Sequence, residues 1–213
     1  MDHKKLNDAA FLARWYQYLF LLLIPTIIGN VLSDGDLVAE LPAIEYLGLA
    51  VSLGVVLIRA GLLFKLKEYS AKLKIAALLM IVVNVGTLIG ARSLLDFSEG
   101  ITTGIMVVIA VGAVSSLLVD YFEFNGHSEL MAGFDEDWSN KWKSLWNWEA
   151  ISLGGIVAVI VLAALGFFNM FGIFIIMGLA LLLLRVVIWR WSYLYRTKKF
   201  FEEYEVIAEE GSV

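Results

Sequence analysis

The chain of 213 residues has no cysteine, only two histidines and two prolines, and a charged fraction of 17%. Without thiols there is no disulfide, no thiolate metal ligand, no cysteine nucleophile and no CxxC redox pair. His3 and His127 do not make a zinc hydrolase, and HExxH is absent. Two further signatures are missing: the GxSxG turn of a serine hydrolase and the GxxxxGK loop, ending in Ser or Thr, that cradles phosphates. A net charge of -5 lacks the basic footprint of a nucleic-acid binder. The sequence therefore leads us to expect no catalytic residue, metal ligand, bound cofactor or nucleic-acid partner.

What the chain has in abundance is apolar side chains, 60% of the total. Ordinary soluble domains carry about 45–50%. The mean hydropathy is +0.80. A helix needs about 20 mainly apolar residues to cross a bilayer. Six runs meet that length: Trp15–Ser33, Ile44–Phe64, Ile75–Leu95, Ile101–Tyr121, Glu149–Phe168 and Phe171–Trp191. The runs are continuous and do not alternate, so each is expected to satisfy its backbone internally as a helix. The first run, with a basic lead and a Val31-Leu32-Ser33 end, has the pattern of a cleavable signal segment too; we expect it to be retained as a span.

Basic residues set the expected orientation. Segments 34–43, 96–100 and 169–170 contain no Lys or Arg. The opposite connections hold Lys4, Lys5 and Arg14; Lys65, Lys67, Lys72 and Lys74; Lys141 and Lys143; and Arg196, Lys198 and Lys199. Basic excess marks the cytoplasmic side. The expected fold class is thus an all-α, polytopic helical bundle of six transmembrane helices in three in–out–in hairpins. It would lie in a plasma or bacterial inner membrane with both termini cytoplasmic. In this division, 1–14 is a cytoplasmic interfacial helix and 15–121 carries the first four spans. Residues 122–148 form a Trp-rich cytoplasmic loop with a second interfacial helix before span five, 149–192 carries the last two spans, and 193–213 is a cytoplasmic tail.

Two internal echoes are present. Residues 68–74 (EYSAKLK) match 137–143 (DWSNKWK) as acid, aromatic, Ser, any residue, Lys, apolar, Lys, and both lead into an outward span. A hairpin repeat would give this, and so would the general preference of a membrane interface for aromatics and lysine. Ala50-Val51-Ser52-Leu53-Gly54 matches Ala150-Ile151-Ser152-Leu153-Gly154 in helices expected to run in opposite directions, the arrangement of an inverted transporter repeat. Gly86-xxx-Gly90 and Gly100-xxx-Gly104 have the spacing of close helix packing.

The region 122–148 offers a candidate face for a partner or lipid headgroup. Four of the seven tryptophans fall at 138, 142, 146 and 148. Trp138, Trp142, Leu145 and Trp146 form a stripe at helical spacing, with Lys141 and Lys143 beside it. Indole rings favour the headgroup zone. Upstream, Asn125-Gly126 reads as a turn, with His127 and Ser128 as solvated or capping groups.

Intramembrane polar groups point to a second chemistry, because a polar side chain in lipid is costly to keep without a use. By length, the span midpoints fall near Pro25, Gly54, Asn84, Val111, Val159 and Leu181, so Asn84 is the polar side chain at mid-depth. Thr26 follows a proline expected to kink its helix. Thr87 is one turn beyond Asn84, and Arg59 and Arg185 lie within spans. Asn84, Thr26, Thr87, Arg59 and Arg185 are the candidate solute path. The simpler roles are an interhelical hydrogen bond for Asn84 and snorkelling for the arginines.

Three functions follow as expectations. The first is a non-enzymatic membrane protein that acts by association, with lipid around it and a second copy of this chain or another protein as partner. The second is a small channel or carrier for an ion or small solute. The third, a lipid-modifying enzyme, rests only on Asp120, Glu123, His127 and Glu149. A cavity reaching Asn84 favours the second; a tightly packed bundle with an exposed apolar groove favours the first.

Overall fold

The computed structural model describes residues 3–32, 41, 43–95, 101–164 and 170–210, with side chains described at 8–32, 41, 43–86, 111–112, 114–159, 162 and 172–206. Among these the regular structure is helical throughout, with no strand. In chain order the helices are α1 (His3–Leu21), α2 (Leu23–Leu32), α3 (Ala43–Lys65), a short 3₁₀ turn (Leu66–Glu68), α4 (Ala71–Leu95), α5 (Ile101–Ala132), α6 (Glu136–Ala164) and α7 (Met170–Glu210). Of the expected connections 34–43, 96–100 and 169–170, residues 34–40, 42, 96–100 and 169 lie outside the described residues, while Ala43 and Met170 begin helices.

Each helix boundary has a local cause. Pro25 has no N–H to give the Leu21 carbonyl and its ring crowds that carbonyl, so the helix breaks between α1 and α2. Thr26 repairs the next position: its N–H and its hydroxyl both donate to the Leu22 carbonyl, at 3.1 and 2.7 Å. Ser70 starts α4, its hydroxyl accepting the Lys72 N–H at 3.2 Å. Asp135 starts α6 in the same way, its carboxylate accepting the Trp138 N–H at 2.8 Å. Glu136 and Asp137 add negative charge where the helix dipole is positive.

Three helical stretches among the described residues are long and apolar enough to cross a membrane: Asp8–Leu32, Ala43–Glu68 and Gly172–Val206. Along α7, Ile173, Phe174, Met177, Leu181, Leu184 and Ile188 are all exposed. Bare apolar surface of that extent is a liability in water but matches hydrocarbon. These are the marks of a membrane protein.

The chain divides into two compact units, residues 1–123 with 194–213, and residues 124–193. In the first, α3 packs on α2 and on α4, and α1 contacts α2 and α3. Its core holds Leu12, Tyr16, Leu63, Leu66, Leu73 and Phe201, with Tyr16 stacked on Phe201 at 5.9 Å between ring centres. Ala9, Leu12 and Ala13 are buried within α1, which runs unbroken through residue 14. Beside α1, the Tyr69 hydroxyl donates to Asp8 at 3.0 Å. Burial first, then that bond, raises the Tyr69 phenol above its ordinary value.

The second unit corrects the reading of 122–148 as mostly loop. Helix α5 continues to Ala132, so Asn125, Gly126, His127 and Ser128 sit inside a helix and are buried. The turn comes later, where the Phe134 and Asp135 N–H groups donate to the Met131 carbonyl at 2.9 and 2.7 Å. Packing explains the override: Asn-Gly favours a turn in isolation, but here the segment is covered on all sides. The Ser139 hydroxyl donates to the Ser128 carbonyl at 2.7 Å and lies 2.9 Å from the Ser128 hydroxyl, tying α6 to α5.

The 68–74 and 137–143 echo does not mark equivalent helix positions. Ser70 precedes α4 and caps it, whereas Ser139 lies inside α6 and bonds across to α5. Close helix approach occurs at Gly29, where a Cβ would meet the Ser52 hydroxyl at 2.8 Å. Among the described residues a Cβ at Gly86 would meet nothing within 4 Å, so the packing expected there is not seen among them. Side-chain surroundings at Gly90, Gly100 and Gly104 lie outside the described residues.

Candidate functional site

Four helices of the first unit surround a cavity of about 290 Å³. Helix α2 contributes Thr26 and Asn30; α3 contributes Ser52, Val55, Val56 and Arg59; α4 contributes Met80, Val83 and Asn84; α5 contributes Ser116, Val119 and Asp120. The spacings are i, i+3, i+4 and i+7, so each helix turns one stripe of side chains inward. Polar groups occupy these stripes in segments that are otherwise apolar. At the kink, Thr26 faces the cavity while its hydroxyl remains bonded to the Leu22 carbonyl.

One end of the cavity is charged. The Arg59 guanidinium on α3 holds both carboxylate oxygens of Glu123 on α5, with Nη2 at 2.7 and 2.8 Å. The Glu123 side chain is 2% exposed and that of Arg59 30%. A buried carboxylate needs such a partner, because leaving it unpaired in a low-dielectric setting is strongly unfavourable. Asp120 precedes Glu123 by one turn on α5 and lines the cavity itself. Arg59 is thus committed to an ion pair, where the sequence pattern pointed to snorkelling.

At mid-depth, the Asn84 amide donates to the Met80 carbonyl of its own helix at 2.8 Å. The expected bond was to a neighbouring helix. The difference matters chemically: the bond uses one N–H of the amide, so its oxygen and second N–H are not consumed by it.

Three of the five residues expected along a solute path, Thr26, Arg59 and Asn84, therefore meet at one cavity. The backbone of Thr87 continues α4, but its side chain lies outside the described residues. Arg185 belongs to the second unit, where its guanidinium lies 3.9 Å from the centre of the Trp189 ring. Asp120 and Glu123, which entered the sequence reading only as candidates for lipid chemistry, flank this cavity. His127 and Glu149 belong to the second unit. Asn30, Ser52 and Ser116 were missed. The available signal was their spacing: Thr26 to Asn30, Ser52 to Arg59, and Ser116 to Asp120 to Glu123 are each one or two helical turns apart.

The Trp-rich stripe has a different role from the one its sequence suggested. Trp142 and Leu145 are fully buried. The Trp142 ring packs on His127 at 4.6 Å, on Tyr193 at 5.8 Å and on Phe124 at 6.3 Å between centres. The stripe is amphipathic because it covers the core of its own unit, which takes Trp142 out of any docking face. Trp138 and Trp146 are half-buried, and Lys141 and Lys143 are exposed. The Lys141 ammonium lies 4.3 Å from the centre of the Trp138 ring, a cation–π contact.

Among the described residues, no three His, Cys, Asp or Glu side chains converge as a metal site. No protein-family model, curated protein or solved structure matches this chain.

Proposed function

We propose that this chain is a six-span membrane protein that binds and passes a small solute, as a carrier or small channel, through the cavity around Asn84. The observation that carries the reading is the meeting of Thr26, Arg59 and Asn84, from three helices, at one 290 Å³ space. Intramembrane polar groups are functional by default, and broken helices beside such groups are a recurrent device of transporters. The Pro25 break next to Thr26 fits that pattern. The distribution of Lys and Arg supports three in–out–in hairpins with cytoplasmic termini, in a plasma or bacterial inner membrane. Solute passage ranks above association through the Trp-rich face, because the central indole of that face is buried.

The test exploits the absence of cysteine. Asn84→Cys and Val82→Cys each place one thiol on α4. Val82 is 66% exposed and points away from the cavity stripe. In reconstituted vesicles a water-soluble thiol reagent is expected to modify the first variant and spare the second, because thiolate forms only where water reaches. An inert cysteine at position 84 overturns the reading.

A further inference from the structure

We propose that the cavity takes a small uncharged polyol, held by a ring of four neutral hydrogen-bonding side chains. This rests on the solute-binding reading above and goes beyond it in naming the ligand class.

The ring follows from the register of the helices. The Arg59–Glu123 bond ties α3 to α5 at one level. Ser52 and Ser116 each lie two helical turns before the bonded residue, on the cavity stripe of its helix. Ser52 and Asn84 are equally far along the chain from Glu68, in the turn that joins α3 to α4, so they share a level across that packed pair. Helix α2 is fixed beside them by the close approach of Gly29, where a Cβ would meet the Ser52 hydroxyl at 2.8 Å, and Asn30 is the next residue. Asn30, Ser52, Asn84 and Ser116, one from each helix, thus line the cavity at one depth. The next turn toward Arg59 is apolar, with Val55, Val56, Met80 and Val119.

Carboxamides and hydroxyls both donate and accept hydrogen bonds, and Asn84 keeps its oxygen and one N–H beyond its bond to Met80. An ammonium brings no acceptor and a sulfonate no donor, so either leaves half of such a ring unmatched. Each hydroxyl of a polyol does both, and its C–H edges suit the apolar turn. Charged solutes meet a further obstacle at the inner end. Arg59 holds both oxygens of Glu123 and acts on Asp120 as well. An anion would draw Arg59 off Glu123, stranding a carboxylate whose side chain is 2% exposed. A cation would share those carboxyl groups with a like charge. An uncharged solute leaves the cluster as it stands. The volume of about 290 Å³ corresponds to about ten water molecules at about 30 Å³ each, room for a polyol of a few carbons with some of its hydration.

The experiment measures uptake of radiolabelled erythritol, ethyltrimethylammonium and ethanesulfonate by vesicles holding the full-length protein, each relative to protein-free vesicles. Valinomycin with equal potassium on both sides removes any opposing potential. Erythritol is expected to enter faster than through lipid alone. Both ions should enter at least about tenfold more slowly than erythritol, because each must part the Arg59–Glu123 pair or stand beside a like charge. Asn84→Leu and Ser116→Ala should each slow erythritol by about two- to tenfold, the worth of one hydrogen bond, at the parental melting temperature. An ion that enters as fast as erythritol overturns the inference and leaves solute passage intact. Erythritol entry unchanged in both folded variants overturns it too. The ion comparison is made on the parent protein, so it decides even where a variant fails to fold. If no solute enters faster than through lipid alone, solute passage falls and this inference with it.

Discussion

Replacing Arg59 by Met removes the cation from a buried ion pair and keeps most of the side chain's length. Both Glu123 oxygens, at 2.7 and 2.8 Å from Nη2, then lose the guanidinium while the side chain stays 2% exposed. Breaking a buried pair from one side costs about 3–5 kcal/mol, most of it the penalty of the stranded carboxylate. At about 2–4 °C per kcal/mol for a protein of this size, the melting temperature should fall by about 6–20 °C. The double replacement Arg59→Met with Glu123→Leu removes both charges together and should recover most of the loss, because an apolar pair has no desolvation debt. Tryptophan fluorescence during heating in detergent micelles measures both. Lys198→Met is the control: its 3.2 Å pair with Glu202 is half in solvent, and it should cost no more than about 1 kcal/mol. If Arg59→Met melts within about 2 °C of the parent, or if the double variant loses the sum of the two single effects, the electrostatic account of this site is wrong.

Two further substitutions test the architecture that positions the cavity. Gly29→Val forces a branched side chain to where a Cβ already lies 2.8 Å from the Ser52 hydroxyl. Overpacking of this kind should lower stability by about 1–3 kcal/mol, read from the same melts, whereas Gly86→Ala, with nothing within 4 Å, should be harmless. Asp135→Ala removes the 2.8 Å cap on the Trp138 N–H and should cost about 0.5–2 kcal/mol, with fraying of the α6 start visible by hydrogen exchange.

Some of the site was legible in the sequence because its cause is local. Asn84 stood out as a polar group at mid-depth of an apolar run, and Thr26 as the residue after a proline. Both depend only on the cost of polarity in lipid and the missing proline N–H. Arg59 was visible as a charge but not as a pair, since Glu123 lies on another helix. Ser52 and Ser116 were hidden for a related reason: a serine in a helix can bond back to its own backbone, as Ser152 does to the Trp148 carbonyl at 2.8 Å. Only spacing from other polar residues one or two turns away tells such a serine from one that faces a cavity.

The sequence alone determined the helical character of the chain, the break at Pro25 and the caps at Ser70 and Asp135, because each follows from hydrogen bonding within a few residues. It also determined the long apolar lengths of Asp8–Leu32, Ala43–Glu68 and Gly172–Val206. Only tertiary structure decided that Asn125-Gly126 stays helical, that Trp142 faces inward, and that four polar stripes meet around one space. Those outcomes depend on which faces of different helices are brought together, and a side chain's own neighbours in sequence carry no record of that.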